Sequence, residues 1–260
     1  MALLLVIWSV ASAESFSGPK PLIRVHAHND YQHSRPLFDA LDQGFCSVEA
    51  DIHLVDGKLL VAHNRSQVRA DRTLESLYLE PLRKRVLQNS GHVFPNGPLF
   101  YLLIDIKGKW QKTYPVLRAV LQQFTDIITT FEGTARSSRG ILIVLTGDRS
   151  PRMFDGESMR YACLDGTLAD LESDASVDLV PWVSADWSET FKWRGRGEMP
   201  AEDRERLKKF VAQGHATKRL LRFWGAPDAP AVWGELLACN VDLINTDDLV
   251  GARKFFDSQP

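Results

Sequence analysis

The sequence predicts a single-domain α/β fold, and among such folds it favours the closed (β/α)8 TIM barrel. Eight short apolar runs alternate with helical or loop segments, as in sheets of parallel strands. The chain has 260 residues, 44% of them hydrophobic and 25% charged, and is long enough for one such barrel. Polar residues collect where several of the runs end, and barrel active sites lie at the carboxyl ends of the strands.

The eight predicted strands are rich in Val, Ile, Leu and aromatic residues and do not alternate strictly with polar residues. This composition is typical of strands that are covered on both faces. In chain order the predicted strands are Leu22–Val25, Ser47–Asp51, Phe100–Ile106, Ile141–Thr146, Tyr161–Leu164, Leu179–Ser184, Leu220–Trp224 and Asp242–Asn245. A doubly wound open sheet is the alternative. No glycine-rich phosphate loop follows the first strand, which argues against the nucleotide-binding versions of that alternative.

Helical spacing of apolar residues appears in four segments between the strands. These segments are Pro36–Gln43, Tyr114–Phe124, Ala201–Gln213 and Ala231–Cys239. Pro200 before the third segment and Gly214 after it predict where that helix begins and ends. The sequence from Val55 to Leu59 predicts a β-hairpin, because its Asp-Gly pair suits a tight turn.

The net charge and the cysteine content argue against two classes of binding site, one for nucleic acid and one for zinc held by thiolates. The formal net charge is -2 at pH 7 and the isoelectric point is near 6.4, so we expect no binding to nucleic acid. The three cysteines are far apart in sequence and form no CxxC pair, which argues against a thiolate zinc site. The sequence leaves the oligomeric state open.

The N-terminus is similar to a targeting segment. Residues Leu3–Val10 form an apolar run that is too short to span a bilayer, and three small residues follow it at positions 11–13. We therefore predict a signal peptide over residues 1–13, a barrel domain over residues 20–258, and export to the periplasm or the medium. A cytoplasmic protein is the alternative, since no Lys or Arg precedes the apolar run. No other stretch approaches membrane-spanning length, so we expect no transmembrane segment.

The residues with the clearest chemistry lie between positions 24 and 63. His26 and His28 are two residues apart after the first strand, and Glu49 and Asp51 are two apart at the end of the second. Side chains two apart on a strand point to the same face. Two carboxylates on one face repel each other unless a cation lies between them. The pattern therefore predicts a hard divalent metal ion with histidines beside it.

Further polar residues follow the later strands. Asp105 and Lys107 come at the end of the third strand, and the fourth and eighth strands end in Thr-Gly-Asp and Asn-Thr-Asp sequences. A carboxylate at the end of an apolar strand is costly to bury without a partner. A cation shared by several of these groups would supply that partner.

As a set, these residues resemble the superfamily of glycerophosphodiester phosphodiesterases and phosphatidylinositol-specific phospholipases C. Its pattern is a histidine after the first strand, Glu-x-Asp on the second, a hairpin that ends in a second histidine, and an acid on the third. The matching residues here are His26, Glu49, Asp51, His63 and Asp105. The His-x-His-Asn-Asp-Tyr sequence that begins at His26 is most similar to the subgroup of the yeast altered inheritance of mitochondria protein 6.

The resemblance implies a divalent-metal-dependent phosphodiesterase that acts on glycerophosphodiesters or related phospholipid-derived diesters. The implied ligands for Mg2+ or Ca2+ are Glu49, Asp51 and Asp105. His26 and His63 would serve as general acid and base, in an order that the sequence leaves open.

The resemblance also indicates residues for binding a small-molecule or lipid phosphodiester. The spider sphingomyelinase D branch shares the His-x-x-Asn-Asp and Asp-x-Lys sequences, which points to Asn29 and Lys107. Ala27 stands where the family usually has a phosphate-binding arginine. His28 therefore either donates a hydrogen bond to the phosphate or hydrogen-bonds a residue that is itself a ligand in the site. Trp224 would form an apolar wall for an alcohol or lipid group, or else pack in the core.

Two other functions fit parts of the pattern. An amidohydrolase-like or histidinol-phosphatase-like (PHP-like) metal hydrolase also carries His-x-His after the first strand, as at His26 and His28. Such enzymes usually need further histidines at later strand ends, whereas the later strands here end in Thr-Gly-Asp, Ser-Ala-Asp and Asn-Thr-Asp. A non-catalytic barrel that binds a carbohydrate or a phosphate is the second rival, because fold alone does not establish activity.

Overall fold

The computed structural model describes residues 18–259, and a closed barrel of eight parallel strands lies at its centre. The strands of the described chain are β1 (Val25–Ala27), β2 (Ser47–Val55), β3 (Lys58–Val61), β4 (Phe100–Ile106), β5 (Thr130–Glu132), β6 (Ala135–Ser137), β7 (Ile141–Gly147), β8 (Met159–Arg160), β9 (Cys163–Gly166), β10 (Trp182–Asp186), β11 (Leu220–Trp224) and β12 (Leu243–Thr246). The barrel consists of β1, β2, β4, β7, β9, β10, β11 and β12, and pairing of Ala27 with Val48 closes it. The predicted (β/α)8 barrel is confirmed. The predicted signal peptide lies outside the described residues.

Each predicted strand overlaps a barrel strand, and the offsets have identifiable causes. β1 begins three residues later than predicted, because its pairing with β12 starts at Val25, opposite Ile244. Leu22 forms only an isolated bridge to Phe45. β10 begins after Pro181, whose nitrogen has no hydrogen to donate to a strand ladder. Pairing with a neighbouring strand therefore decides where β1 begins, and a proline decides where β10 begins.

The four predicted helices are present with shifted ends, and three further helices accompany them. The helices are α1 (Phe38–Asp42), α2 (Glu80–Gln88), α3 (Trp110–Leu121), α4 (Trp187–Thr190), α5 (Ala201–Ala216), α6 (Pro230–Ala238) and α7 (Leu249–Asp257). The prediction that Gly214 ends α5 is wrong. A Cβ atom at Gly214 would lie 1.9 Å from Leu221 Cδ2, so this glycine lets α5 pack closely on β11 instead of ending the helix.

Two connections in the middle of the barrel depart from the regular strand–helix pattern. Within the described residues, the chain between β7 and β9 and between β9 and β10 contains no α-helix, and its helical turns are the 3-10 helices at Pro151–Phe154 and Leu168–Glu172. A small sheet of β5, β6 and β8 lies beside the barrel. The second of these short helices reaches the carboxyl ends of the strands, where it helps to line the cavity described below.

The β2–β3 hairpin brings His63 to the barrel mouth. The turn residues Asp56 and Gly57 have φ angles of 48° and 76°, as both central residues of a type I′ turn require. β3 pairs antiparallel with the last residues of β2, and the Ala62 N–H donates to the backbone oxygen of Asp51 over 3.2 Å. The predicted hairpin is confirmed, and its register fixes His63 next to Asp51.

Apolar side chains fill the inside of the barrel and the layer between the barrel and the helices. The inner cluster contains Leu103, Phe131, Leu142, Val144, Cys163, Trp182 and Leu243. Trp182 is fully buried, and its ring centre lies 6.0 Å from that of His26. The apolar interior therefore ends directly beneath the polar residues of the strand ends. In the described chain, no helix combines the length and apolar character needed to cross a bilayer.

Candidate active site

Three carboxylates meet at the carboxyl ends of β2 and β4. Glu49 and Asp51 lie on β2, and the strand register places Asp51 opposite Asp105 on β4. Carboxylate oxygens of the three residues lie within 4.8 Å of one another. Among the described residues, Asp51 Oδ1 and Asp105 Oδ1 are buried without a hydrogen-bond partner. Buried carboxylate oxygens with free lone pairs are the ligands that Mg2+ and Ca2+ prefer, so the donor set fits such an ion.

The charge of the three carboxylates depends on their burial and on the charged side chains around them, including Lys107. Lys107 Nζ lies 2.8 Å from Asp105 Oδ2 and 3.0 Å from Asp51 Oδ2. Burial raises the pKa of Asp51, and the charges of Glu49 and Asp105 raise it further. Burial alone would also raise the pKa of Glu49, but nearby histidines and an arginine outweigh burial and lower it. The cluster therefore combines a carboxylate that stays ionised with one that would benefit from a bound cation.

His28 lies between Glu49 and Asp247 at the mouth of the barrel. Its Nδ1 is 2.9 Å from Asp247 Oδ1, and its Nε2 is 3.7 Å from Glu49 Oε2. Burial alone would lower the pKa of His28, but Asp247 and Glu49 outweigh burial and raise it. Asn29 fixes the same corner, because its backbone N–H donates to Glu49 Oε2 over 3.3 Å. The two acids thus favour the protonated form of a histidine that faces the cavity.

His26 occupies a different environment from His28. It is completely buried, its Nδ1 lies 2.7 Å from Ser47 Oγ, and its Nε2 lies 3.9 Å from Glu49 Oε2. Burial and the positive charge of Arg222 lower the pKa of His26 to about 3, so the ring is neutral near pH 7. The structure therefore places His26 beneath Glu49, away from the open part of the cavity.

His63 is held at the opposite side of the cluster by Tyr31 and Asp51. Its Nδ1 lies 3.0 Å from Tyr31 Oη and 3.2 Å from Asp51 Oδ2. Tyr31 Oη donates to Asp51 Oδ2 over 2.7 Å, and its ring stacks on the His63 imidazole with an interplanar angle of 12°. These contacts engage Nδ1 and leave Nε2 for proton exchange with a ligand.

One cavity of about 890 Å³ brings most of the predicted site residues together. Its lining includes the predicted residues His28, Asn29, Glu49, Asp51, His63, Asp105, Lys107 and Trp224. Trp224 stands at the rim and is 41% exposed, so it is not part of the core. His26 is the predicted residue that does not line this cavity in the described chain.

Sequence reasoning gave no site role to several polar residues that the structure places in or beside this cavity. They are Tyr31, Arg149, Asp165, Ser184 and Arg222. An isolated charge within an apolar strand, as in Leu-Leu-Arg-Phe-Trp of β11, is the signal that indicates Arg222. Asp165 and Ser184 have weaker signals, because a single acid or hydroxyl near a strand end is common in many structures.

The amidohydrolase-like alternative gains no support from the site. Histidines would be needed at the later strand ends, but in the described cavity those ends contribute Thr146, Asp165, Ser184 and Arg222. In the described chain, the ends of the later strands therefore bring no histidine to this cavity.

Comparisons of the sequence with known proteins identify a phosphodiesterase family. A family model described as an AIM6-like phosphodiesterase domain matches residues 16–162. The altered inheritance of mitochondria protein 6 of Eremothecium gossypii is 33% identical over 270 residues, which cover 90% of this chain and 69% of that protein. The protein of the same name from Saccharomyces cerevisiae is 28% identical over 285 residues, covering 93% of this chain and 72% of that protein.

A solved structure is similar at the level of the fold. A glycerophosphodiester phosphodiesterase from Parabacteroides distasonis superimposes with a TM-score of 0.53 at 11% sequence identity. The superposition covers 93% of this chain and 99% of that chain. At this low identity the likeness concerns the barrel architecture alone.

The relatives contradict the prediction that the chain is exported. The fungal proteins that match 90% or more of this chain are named for the inheritance of mitochondria, which takes place inside the cell. This finding argues against the predicted export to the periplasm or the medium. An apolar run followed by small residues is a short pattern, and it occurs in sequences that are not cleaved signal peptides.

Proposed function

Because the chain belongs to the AIM6-like phosphodiesterase family, we propose that it is a divalent-metal-dependent phosphoric diester hydrolase. We propose glycerophosphodiesters or related phospholipid-derived diesters as the class of substrate. One observation carries the proposal: Glu49, Asp51 and Asp105 converge in a cavity that His28 and His63 also line.

The three carboxylates would hold Mg2+ or Ca2+. When bound, such an ion supplies a Lewis acid that neutralises charge on a phosphate oxygen. Lys107 lies against Asp51 and Asp105, so it keeps these two carboxylates in position and adds a positive charge beside the phosphate.

Hydrolysis of a diester removes a proton from the attacking water and adds one to the leaving alkoxide. We propose that His28 and His63 perform these two transfers, since both line the cavity and an imidazole ring can both accept and donate a proton. The sequence-based prediction gave one of these roles to His26. Complete burial and a low pKa favour a positioning role for His26 beneath Glu49.

Hydrolysis of bis-p-nitrophenyl phosphate tests the proposal. We expect a chelator to abolish activity of the purified chain and added Mg2+ or Ca2+ to restore it. Asp51→Asn and Asp105→Asn should lower activity at least about 100-fold, since each removes a charged ligand. Asp203→Asn, which alters a buried acid on α5 that does not line the cavity, is the matched control. Full activity in the presence of chelator would exclude the metal-dependent mechanism.

A pair of substrates assigns the proton transfers. p-Nitrophenolate leaves without protonation, whereas an alkyl alkoxide needs a general acid. The variant that keeps activity on the p-nitrophenyl diester but loses it on glycerophosphocholine identifies the acid, and the variant that loses both identifies the base. We expect His28→Ala and His63→Ala to divide in this way. A His28→Ala variant with undiminished activity on both substrates would return the role to His26.

A further inference from the structure

A buried arginine faces the acidic cluster from the other side of the barrel. Arg222 lies on β11, and its side chain is only 3% exposed, yet it lines the cavity. Its Nε donates to Asn245 Oδ1 over 2.9 Å, and one terminal nitrogen donates to Ser184 Oγ over 3.4 Å. The other terminal nitrogen lies 3.6 Å from Glu49 Oε2. Hydrogen bonds to residues of the two adjacent strands, β10 and β12, therefore fix the orientation of the guanidinium.

The partners of Arg222 do not use all its hydrogen-bonding capacity. A guanidinium has five N–H donors, and its neighbours in the described chain occupy at most three of them. The 3.6 Å separation from Glu49 exceeds a hydrogen bond. A buried cation with unused donors is unfavourable unless an anion binds there. A phosphodiester, which carries one negative charge on two non-bridging oxygens, matches the planar fork of an arginine.

The other cations of the cavity are engaged elsewhere. Lys107 is paired with Asp51 and Asp105. The Arg149 guanidinium donates to the backbone oxygens of Asp165 and Gly147. Among the cations that line the cavity, Arg222 is therefore the one whose side chain is both buried and incompletely hydrogen-bonded.

The position directly after His26 is occupied by Ala27, which has no charged group. Ala27 is completely buried and packs in the layer between barrel and helices, because it alternates with His26 along β1. The strand that carries the first histidine in this chain therefore offers no guanidinium to the site.

We propose that Arg222 binds a non-bridging oxygen of the phosphodiester, opposite the acidic cluster. This inference rests on the proposed function for the identity of the anion. Asn245 and Ser184 orient the guanidinium. The charge of Glu49 attracts it toward the carboxylates but leaves N–H donors free for the phosphodiester. The competing explanation is that Arg222 only balances the charge of Glu49.

Phosphate binding by purified full-length protein separates the two explanations. Titration calorimetry with inorganic phosphate and with dimethyl phosphate, an unactivated diester, is run with and without Mg2+. We expect Arg222→Met to weaken binding of both anions at least about tenfold, and Arg222→Lys to weaken it less, because the charge remains. Arg219→Met is the matched control: Arg219 is equally buried at the opposite end of β11, where it contacts a backbone oxygen.

Kinetics with bis-p-nitrophenyl phosphate gives an independent result. We expect Arg222→Lys to raise KM and lower kcat while the melting temperature stays near that of the parent. Anion affinity in Arg222→Lys and Arg222→Met within twofold of the parent would overturn the proposal, even if the parent hydrolyses diesters. Arg222-dependent phosphate binding by a protein without diesterase activity would uphold this site and reject the proposed hydrolase. If Arg222→Met does not fold, the result with Arg222→Lys decides.

Discussion

At the scale of single residues, Asp30 shows how a buried carboxyl shapes the loop that carries the site. Its Oδ2 accepts hydrogen bonds from the Leu37 N–H over 2.6 Å and from Tyr78 Oη over 2.8 Å. Leu37 has a φ of 66°, an unusual value for a residue with a branched side chain, and the bond from Asp30 stabilises it. Asp30 thus ties Leu37 and Tyr78 to the segment that includes Asn29 and Tyr31.

The same residue predicts a pH dependence of stability. Burial raises the pKa of Asp30 to about 7, whereas the unfolded chain has the ordinary value near 4. The folded state therefore binds a proton that the unfolded state releases, and stability falls as pH rises from about 4 to about 7. We expect Asp30→Asn, which stays uncharged, to flatten the decline of the melting temperature over this interval.

Thermal unfolding at pH 4.5, 5.5, 6.5 and 7.5 provides the measurement. An Asp30→Asn variant with the same slope as the parent would show that Asp30 is ionised throughout this range.

At the scale of the secondary-structure elements, the end of β7 determines the space around Asp105. Gly147 has a φ of 75°, and a Cβ atom there would lie 2.1 Å from Asp105 Oδ1 and 2.6 Å from the Ile106 backbone oxygen. The neighbouring strand can therefore approach the carboxylate cluster only if this position is glycine. The unpartnered oxygen of Asp105 is the atom that a larger side chain would displace.

We predict that Gly147→Ala weakens binding of Mg2+ or Ca2+ by at least about tenfold, because Asp105 must move. Gly156 is a matched control, since its φ is 76° and a Cβ atom there meets no atom within 4 Å. Gly156→Ala should cost a similar backbone strain, about 1 kcal/mol, without changing cation affinity. Calorimetric titration with each cation makes the comparison. Equal cation affinities in the two variants would argue against Asp105 as a ligand.

At the scale of the whole molecule, the apolar interior of the barrel supports the polar mouth. Trp182 fills the inside of the barrel and meets the His26 ring edge-on, whereas Trp233 packs in the outer layer against Phe255. Both indoles are buried, and among the described residues neither Nε1 has a hydrogen-bond partner. The two tryptophans therefore differ mainly in which layer they fill.

We predict that Trp182→Phe and Trp233→Phe each reduce the free energy of unfolding by about 1–3 kcal/mol, since each leaves a cavity. Only Trp182→Phe should also weaken cation binding, because His26 loses its support beneath Glu49. Urea unfolding and calcium titration measure the two effects. Equal losses of cation affinity in both variants would show that the site responds to general destabilisation.

Several parts of the fold and the candidate site are predictable from sequence because they depend on local patterns. The Glu49-x-Asp51 pair, Asp105 and the hairpin before His63 are encoded by strand alternation and by one Asp-Gly turn. The start of β1 was misplaced because it depends on pairing with β12, and the start of β10 because the predicted strand included Pro181. The end of α5 was misplaced because Gly214 serves a contact with β11.

The sequence by itself determined the barrel and the convergence of three acids, because side chains alternate along strands and parallel strand ends meet at one edge. Only the tertiary structure decided which histidine reaches the cavity and that Arg222 stands across from the acids. His26 and His28 have the same face in the strand pattern, but the closing contacts of β1 bury one and leave the other at the mouth. Glu49 and Arg222 are 173 positions apart in the chain, and the closure of the barrel alone brings them together.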